Sequence, residues 1–462
     1  MMSGAADLRA LRDRLATSEL SAAAAVEASL ARIAALDGEF AAFLTVAADQ
    51  ARAAAVALDQ APAPVGPLHG VPIAVKDLTD TAGIRTTYGS ALFRDHVPAV
   101  DDLIVARLKR AGAVVIGKTM TPEFGFGAVC VNPLGGPTRN PFDRRLTSGG
   151  SSGGSAVAVA TGMVPVAPGT DFGGSVRTPA SFCGIASLRP TPGMLPSPTR
   201  KLGWDMLATA GFLGRSVDDL ALVFAAVAGP DPLDPLSDRP HHAMRGAASP
   251  RIAVTEDFGV APVSRAVRAG FREAVASLAR HFPVAEAHPD CADAIETFHV
   301  LRPPLIHAAY ARLPETHGDL LTPTVRWWIE LGAKTSAADW LAAEARRTEL
   351  FRRFTAFFEH FDLLIAPAAA ILPWPNEAGD PMEIDGEALP TLVDYLAVTF
   401  ILSLVGFPVV TLPAAWTSDG LPIGVQLIGR PGHDLALLAA ARRIEAACGF
   451  VARPLPGEGE KA

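Results

Sequence analysis

At 462 residues, with 49% apolar and 19% charged side chains, the chain is long enough to bury a large core and too apolar for a disordered polypeptide. A formal charge of −8 and the lack of any Lys/Arg run argue against nucleic acid or anionic lipid as partners. Four scattered cysteines without CxxC or Cys/His spacing argue against a zinc site and fit reduced thiols in a cytoplasmic protein, and Asp7, Arg9, Arg12, Asp13 and Arg14 break up the N-terminus where a signal peptide would need an apolar run.

Val26, Leu30 and Ile33 recur at helical spacing behind the candidate caps Ser18 and Ser21, and Asp37-Gly38 offers a stop, which predicts an amphipathic N-terminal helix. From Val71 onward short apolar strands alternate with helices: strands over 71–75, 113–116 and 163–167, and a helix over 102–110. Such alternation predicts an α/β protein with a parallel or mixed sheet covered by helices. Glycine and serine crowd residues 135–154, a loop suited to close backbone approach. The Pro/Asp/His-rich stretch 229–250 reads as a solvated surface excursion or as a divider between two lobes. Helices over 263–282 and 337–361 precede a short strand over 362–366. Strands over 407–414 and 422–428, joined through Ser418-Asp419-Gly420, form a pair, and a helix over 434–447 follows. The uncharged stretch 395–416 has the length of a membrane span, but Gly406, Pro408 and Pro413 interrupt it, so buried core is expected and a membrane is not. There are no internal repeats.

Three segments carry residue types suited to chemistry. The first ends in Lys76, in Val71-Pro-Ile-Ala-Val-Lys76-Asp77. With six lysines against thirty-four arginines, a lysine closing a buried strand invites a reason, because a desolvated lysine can lose its proton and an arginine cannot. A neutral amine beside hydroxyls is the base that Ser/Lys hydrolases use in place of histidine; the plain alternative is an ion pair with Asp77 or another carboxylate. The second is Ser148-Gly-Gly-Ser151-Ser152-Gly-Gly-Ser155. The third is Gly169-Thr-Asp171-Phe-Gly-Gly-Ser175-Val-Arg177, where missing side chains let successive amides converge as an oxyanion hole or simply make a glycine turn.

Two patterns point elsewhere and fail on context. Gly112-Ala-Val-Val-Ile-Gly117-Lys118-Thr119 matches a phosphate loop, but its inner residues are strand formers and Pro122 stands where the helix should begin. Gly149-Gly150-Ser151-Ser152-Gly153 matches a nucleophile elbow with Ser151 as nucleophile, yet residues 138–148 are polar and deliver no buried strand to it. No S-x-x-K and no HExxH occurs, the histidines are dispersed, and His241-His242 lies in the Pro-rich excursion, so neither a metal nor a cofactor is implied.

Together the segments resemble the amidase signature family, whose hallmark is a Gly/Ser-rich block followed by G-T-D-x-G-G-S, here 149–155 and 169–175 with Lys76 upstream. The likeness extends to Gly117-Lys-Thr-Met-Thr-Pro-Glu-Phe124, Arg215-Ser-Val-Asp-Asp219 and Gly420-Leu-Pro-Ile-Gly-Val-Gln-Leu-Ile-Gly429, and is weakest over 286–395. It implies an α/β/α layered domain around a large mixed, mostly parallel sheet over 61–455, with a variable substrate-pocket region about 286–395 and an N-terminal helical segment, 1–60, packed on it. It also implies an amidase in which Ser175 is acylated and Ser151, after a cis peptide at Gly150, relays its proton to Lys76. Phe172, Gly173 and Gly174 would supply the oxyanion hole, and Ser152, Asp171 and Arg177 would brace the loops. The implied partner is a small amide, apolar or aromatic if Trp204, Trp327, Trp328 and Phe400 line the pocket, and a homodimer is compatible with this. The glutaminase-type component of a tRNA-dependent amidotransferase is the alternative within the family. Against it, Leu396 stands about where that component has an acidic residue for the glutamine amine. A catalytically silent binding protein is the alternative from another class.

Overall fold

The computed structural model describes residues 7–237 and 250–456. Its strands are β1 (Phe43–Val46), β2 (Pro72–Lys76), β3 (Val114–Thr119), β4 (Val166–Asp171), β5 (Ala186–Arg189), β6 (Thr209–Gly214), β7 (Ile252–Val254), β8 (Val284–Glu286), β9 (Leu363–Pro367), β10 (Glu383–Ile384), β11 (Glu387–Ala388), β12 (Val409–Trp416) and β13 (Pro422–Ile428). Eleven of them form one sheet in the order β1-β3-β2-β4-β6-β5-β12-β13-β9-β7-β8, with β10 and β11 apart as a small hairpin.

Alternation along the strands explains the layering, because successive side chains leave a strand on opposite faces. Ile73 and Val75 join the cluster under helices Leu8–Ala16, Leu103–Arg110, Val217–Val227 and Asp434–Cys448, whereas Ala74 faces the cluster under helices Ala22–Phe40 and Gly153–Ala160. Leu363 and Ile365 likewise oppose Leu364 and Ala366. The α/β/α layers and the large mixed sheet are as the resemblance implies. Parallel pairing occupies the flanks, at β2/β3, β2/β4, β7/β9 and β7/β8. The centre from β4 through β6, β5, β12 and β13 to β9 is antiparallel, because the β12–β13 hairpin and the β5–β6 return reverse the chain there.

Several predicted elements shift. Ser21 caps the N-terminal helix, but the helix runs past Asp37-Gly38 to Phe40; the Asp37 carboxylate accepts the N–H groups of Ala42 and Phe43, and Ala41 in a left-handed conformation ends the helix. The segment before residue 60 also contributes edge strand β1, paired with β3, so it is not wholly helical. The strand expected at 163–167 is β4, displaced to Val166–Asp171 because its ladder with β6 continues through Gly169 and Thr170. The stretch 395–416 becomes a wholly buried helix, Ala397–Val405, followed by β12, and no helix among the described residues is long and apolar enough to cross a membrane. The phosphate-loop lookalike is buried strand β3, whose Lys118 donates to Thr86 Oγ1 at 2.8 Å and to the Thr79 carbonyl. Of the excursion 229–250, residues 238–249 lie outside the described residues.

Two glycines test this packing. A Cβ on Gly154 would come 2.4 Å from the Met120 backbone nitrogen and 2.5 Å from the Ala42 carbonyl oxygen, whereas at Gly38, exposed on the N-terminal helix, it would meet nothing within 4 Å. Gly154→Ala is expected to lower the unfolding free energy by about 2 kcal/mol or more, and Gly38→Ala to raise it by about 0.5 kcal/mol, both read by chemical denaturation.

Candidate active site

Lys76 ends β2 with its side chain completely buried. Its amine lies 2.7 Å from Ser151 Oγ, 2.9 Å from Ser152 Oγ and 2.8 Å from Thr170 Oγ1. Three hydroxyls suit a neutral amine, which has one lone pair to accept and two N–H groups to donate. Burial pushes the Lys76 pKa down to about 7, with Cys130 and Asp171 pulling weakly the other way. Asp77 is not its partner: its carboxylate accepts the Thr87 N–H at 2.9 Å and the Thr87 hydroxyl, and approaches Lys118 at 3.9 Å. The ion-pair alternative for Lys76 therefore belongs to Lys118.

The Gly/Ser block brings the hydroxyls to this amine. The Gly150–Ser151 peptide is cis, as the resemblance implies. Gly153 opens a wholly buried helix, Gly153–Ala160, in which Ser155 Oγ meets Thr119 Oγ1 at 2.7 Å. Ser152 donates its N–H to the Ser175 carbonyl at 3.1 Å, tying this block to the third one, and its own hydroxyl touches Lys76 directly instead of only bracing the loops.

Asp171 organises the third block. Its Oδ1 accepts from Gly174 N–H at 3.0 Å and Arg177 Nη2 at 2.8 Å; its Oδ2 accepts from Val176 N–H and Arg177 Nε, both at 3.1 Å. Arg189 adds a bond of 2.6 Å to the Asp171 carbonyl. Burial alone would raise the Asp171 pKa, but Arg177 and Arg189 outweigh it and hold the group below the usual carboxylate range. Arg177 reaches on to the Thr399 carbonyl and Ser403 Oγ on the buried helix Ala397–Val405, and Thr399 Oγ1 donates to the Gly173 carbonyl at 2.6 Å. Gly174, at φ +126°, leaves no room for a side chain: a Cβ would stand 2.4 Å from Thr399 Oγ1. The Gly174 N–H is taken by Asp171, and Phe172, Gly173 and Ser175 line the cavity beside it.

That cavity has a volume of about 320 Å³, and its wall contains Ser151, Ser175, Thr170 and the loop Phe172–Gly174. Its aromatic lining is Phe124, Phe126, Phe172, Phe298, Tyr310 and Tyr395, with Leu396 beside them. The tryptophans expected there do not line it: Trp204 is 76% exposed, Trp327 is 40% exposed, and Trp328 is buried behind Arg302. Phe400 is buried and stacks on Phe298 at 3.9 Å. Sequence pattern alone does not single out Thr170, Thr399 or Arg189 as site residues. Thr170 could have been found inside the G-T-D block, whereas Thr399 and Arg189 become relevant only through tertiary contact. No group of three or more His, Cys, Asp or Glu suited to a metal occurs among the described residues.

The amidase family model matches residues 24–438. The chain is 36% identical over 416 residues to the A component of the glutamyl-tRNA(Gln) amidotransferase of Moorella thermoacetica, covering 82% of this chain and 83% of that one. It is 32% identical over 393 residues to an acylamidase of Rhodococcus erythropolis, covering 83% and 82%. Among solved structures, a bacterial aryl acylamidase of the amidase signature family superposes with a TM-score of 0.89 at 28% identity, covering 98% of this chain and all of that one. A 6-aminohexanoate cyclic dimer hydrolase gives 0.83 at 27%, covering 98% of each.

Asp171→Asn would leave two buried guanidinium groups facing a neutral amide. A loss of about 3–5 kcal/mol in unfolding free energy is expected by denaturation, far more than for an exposed carboxylate such as Asp49→Asn.

Proposed function

As the chain belongs to the amidase signature family, a hydrolase acting on amide bonds, we propose that Ser175 is its nucleophile, Ser151 its proton bridge and Lys76 its general base. Neutral Lys76 takes the Ser151 proton as Ser151 takes that of Ser175, and Ser175 Oγ adds to the amide carbonyl. The amides of Phe172, Gly173 and Ser175 stabilise the oxyanion, each donor worth about 3 kcal/mol. The proton held on Lys76 returns through Ser151 to the leaving nitrogen, the C–N bond breaks, and ammonia or an amine departs. Water then adds to the acyl ester by the same relay, releasing the carboxylate and restoring Ser175. The observation that carries this reading is the wholly buried Lys76 amine, 2.7 Å from Ser151 and paired with no carboxylate among the described residues.

The aromatic wall supports an amide with an apolar or aromatic body. A second reading, the glutaminase-type component of an amidotransferase, has the 36% identity in its favour. Against it, Leu396 on the cavity wall is apolar, whereas the resemblance leads one to expect an acidic residue near this position for the glutamine amine. Ammonia release from glutamine, compared with neutral aryl and alkyl amides, separates the two.

Rate should rise with pH through about 7 and level off above it, because only the deprotonated amine is a base and its pKa is lowered. A profile that is flat between pH 5 and pH 9 would contradict the role of Lys76. Ser175→Ala should abolish both turnover and labelling by a fluorophosphonate without lowering thermal stability, and Ser151→Ala should cut kcat by about 100-fold or more. Labelling that maps to Ser151 in the unaltered protein would reverse the two serine roles.

A further inference from the structure

Helix Ala294–Tyr310 lays Phe298, Arg302, Leu305 and Ala309 along one face at helical spacing, and all four line the cavity that holds Ser175. Arg302 is the anomaly in this apolar stripe. It is only 9% exposed, and its guanidinium carbon sits 3.9 Å from the ring centre of Trp328 and 5.9 Å from those of Phe172 and Phe298. Yet it forms no hydrogen bond and no ion pair with any described residue. Asp380, the carboxylate acting on it through space, is taken by the Tyr395 hydroxyl at 2.7 Å and the Ala128 N–H at 3.3 Å.

The other basic groups on this wall each have a protein acceptor: Arg200 Nη1 donates to the Asp205 carbonyl at 2.8 Å, and Lys201, which is exposed, to the Ala308 carbonyl. The buried Arg177 is saturated too. Aromatic rings attract a guanidinium over its faces, but the five N–H donors lie in its plane and still need acceptors. No nitrogen of Arg302 is sealed from solvent, so its donors open to the cavity it lines, and a mostly buried cation that no protein group pairs there points to an acceptor supplied by the ligand.

We infer that Arg302 anchors a carboxylate of the substrate, so that the preferred amide is acidic, with an apolar or aromatic body against the wall and its carboxylate on the guanidinium fork. A planar carboxylate matches that fork in two parallel bonds, and the surrounding rings leave little water to compete for the guanidinium. The inference rests on the amidase reading and names the substrate class for the same cavity.

The test compares kcat/KM for primary amides ending in a carboxylate, over graded chain lengths and on a benzene ring, with methyl-ended counterparts of equal size. The unaltered enzyme should prefer the acidic member by about tenfold or more at the best length. Arg302→Met should erase that preference, chiefly through KM, and Arg302→Lys should keep part of it as a charge without a fork. The Lys variant also serves if the Met variant does not fold. No acidic preference, or an equal loss on both series in Arg302→Met, would overturn the inference by making Arg302 a purely structural cation. Calorimetric binding of adipate against adipamide to the Ser175→Ala protein reads the anchor independently of turnover. Tighter adipate binding that depends on Arg302 supports it, and equal binding overturns it. Failure of every amide to turn over, with no fluorophosphonate labelling, would count instead against the amidase reading.

Discussion

Burying one lysine amine among hydroxyls is the constraint on which the rest of this molecule turns. A charged ammonium at the end of β2 would need an anion, and Asp77, the nearest in sequence, is directed at Thr87 and Lys118. Lys76 is left with Ser151, Ser152 and Thr170, and its pKa falls from 10.5 to about 7. A folded-state value below the unfolded one means that the unfolded chain binds the extra proton between those limits. The burial therefore costs stability in full below about pH 7, and the cost is relieved as pH rises towards 10.5. The scaffold absorbs it with a core on both faces of an eleven-stranded sheet.

Chemistry and structure are divided between neighbouring residues throughout the site. Lys76 and Asp77 are adjacent, yet one faces the hydroxyls and the other braces Lys118. Asp171 and Ser175 lie in one block, but Asp171 spends its charge on Arg177, Arg189 and two loop amides so that the neighbouring amides keep their direction. A carboxylate so completely occupied is not available to pair with the Lys76 amine. The same contrast separates the saturated Arg177 from Arg302, whose donors have no protein acceptor among the described residues.

The blocks that build the candidate site were legible because their residue types are rare in combination: a lysine closing an apolar strand, and glycines where backbones must approach closely. Strand Pro72–Lys76, the β12–β13 hairpin and helix Asp434–Cys448 followed from periodicity and turn chemistry. The antiparallel centre of the sheet did not, since strand order depends on which distant segments meet and not on local pattern. The pocket was harder still. Trp327 and Trp328 belong to helix Pro323–Ala333, and no local rule says which face of that helix meets solvent. Arg302 left one trace, a charge inside the apolar series Phe298, Leu305 and Ala309, but its meaning needs the cavity beside it.

The most direct test of the account is a ¹³C NMR titration of the lysine ε-methylene signals, practicable because the chain has only six lysines. A signal that is lost in Lys76→Met should titrate near pH 7, well below ordinary lysine. If the Lys76 signal instead stays protonated to pH 10, the amine is a buried cation and not a base, and the account fails.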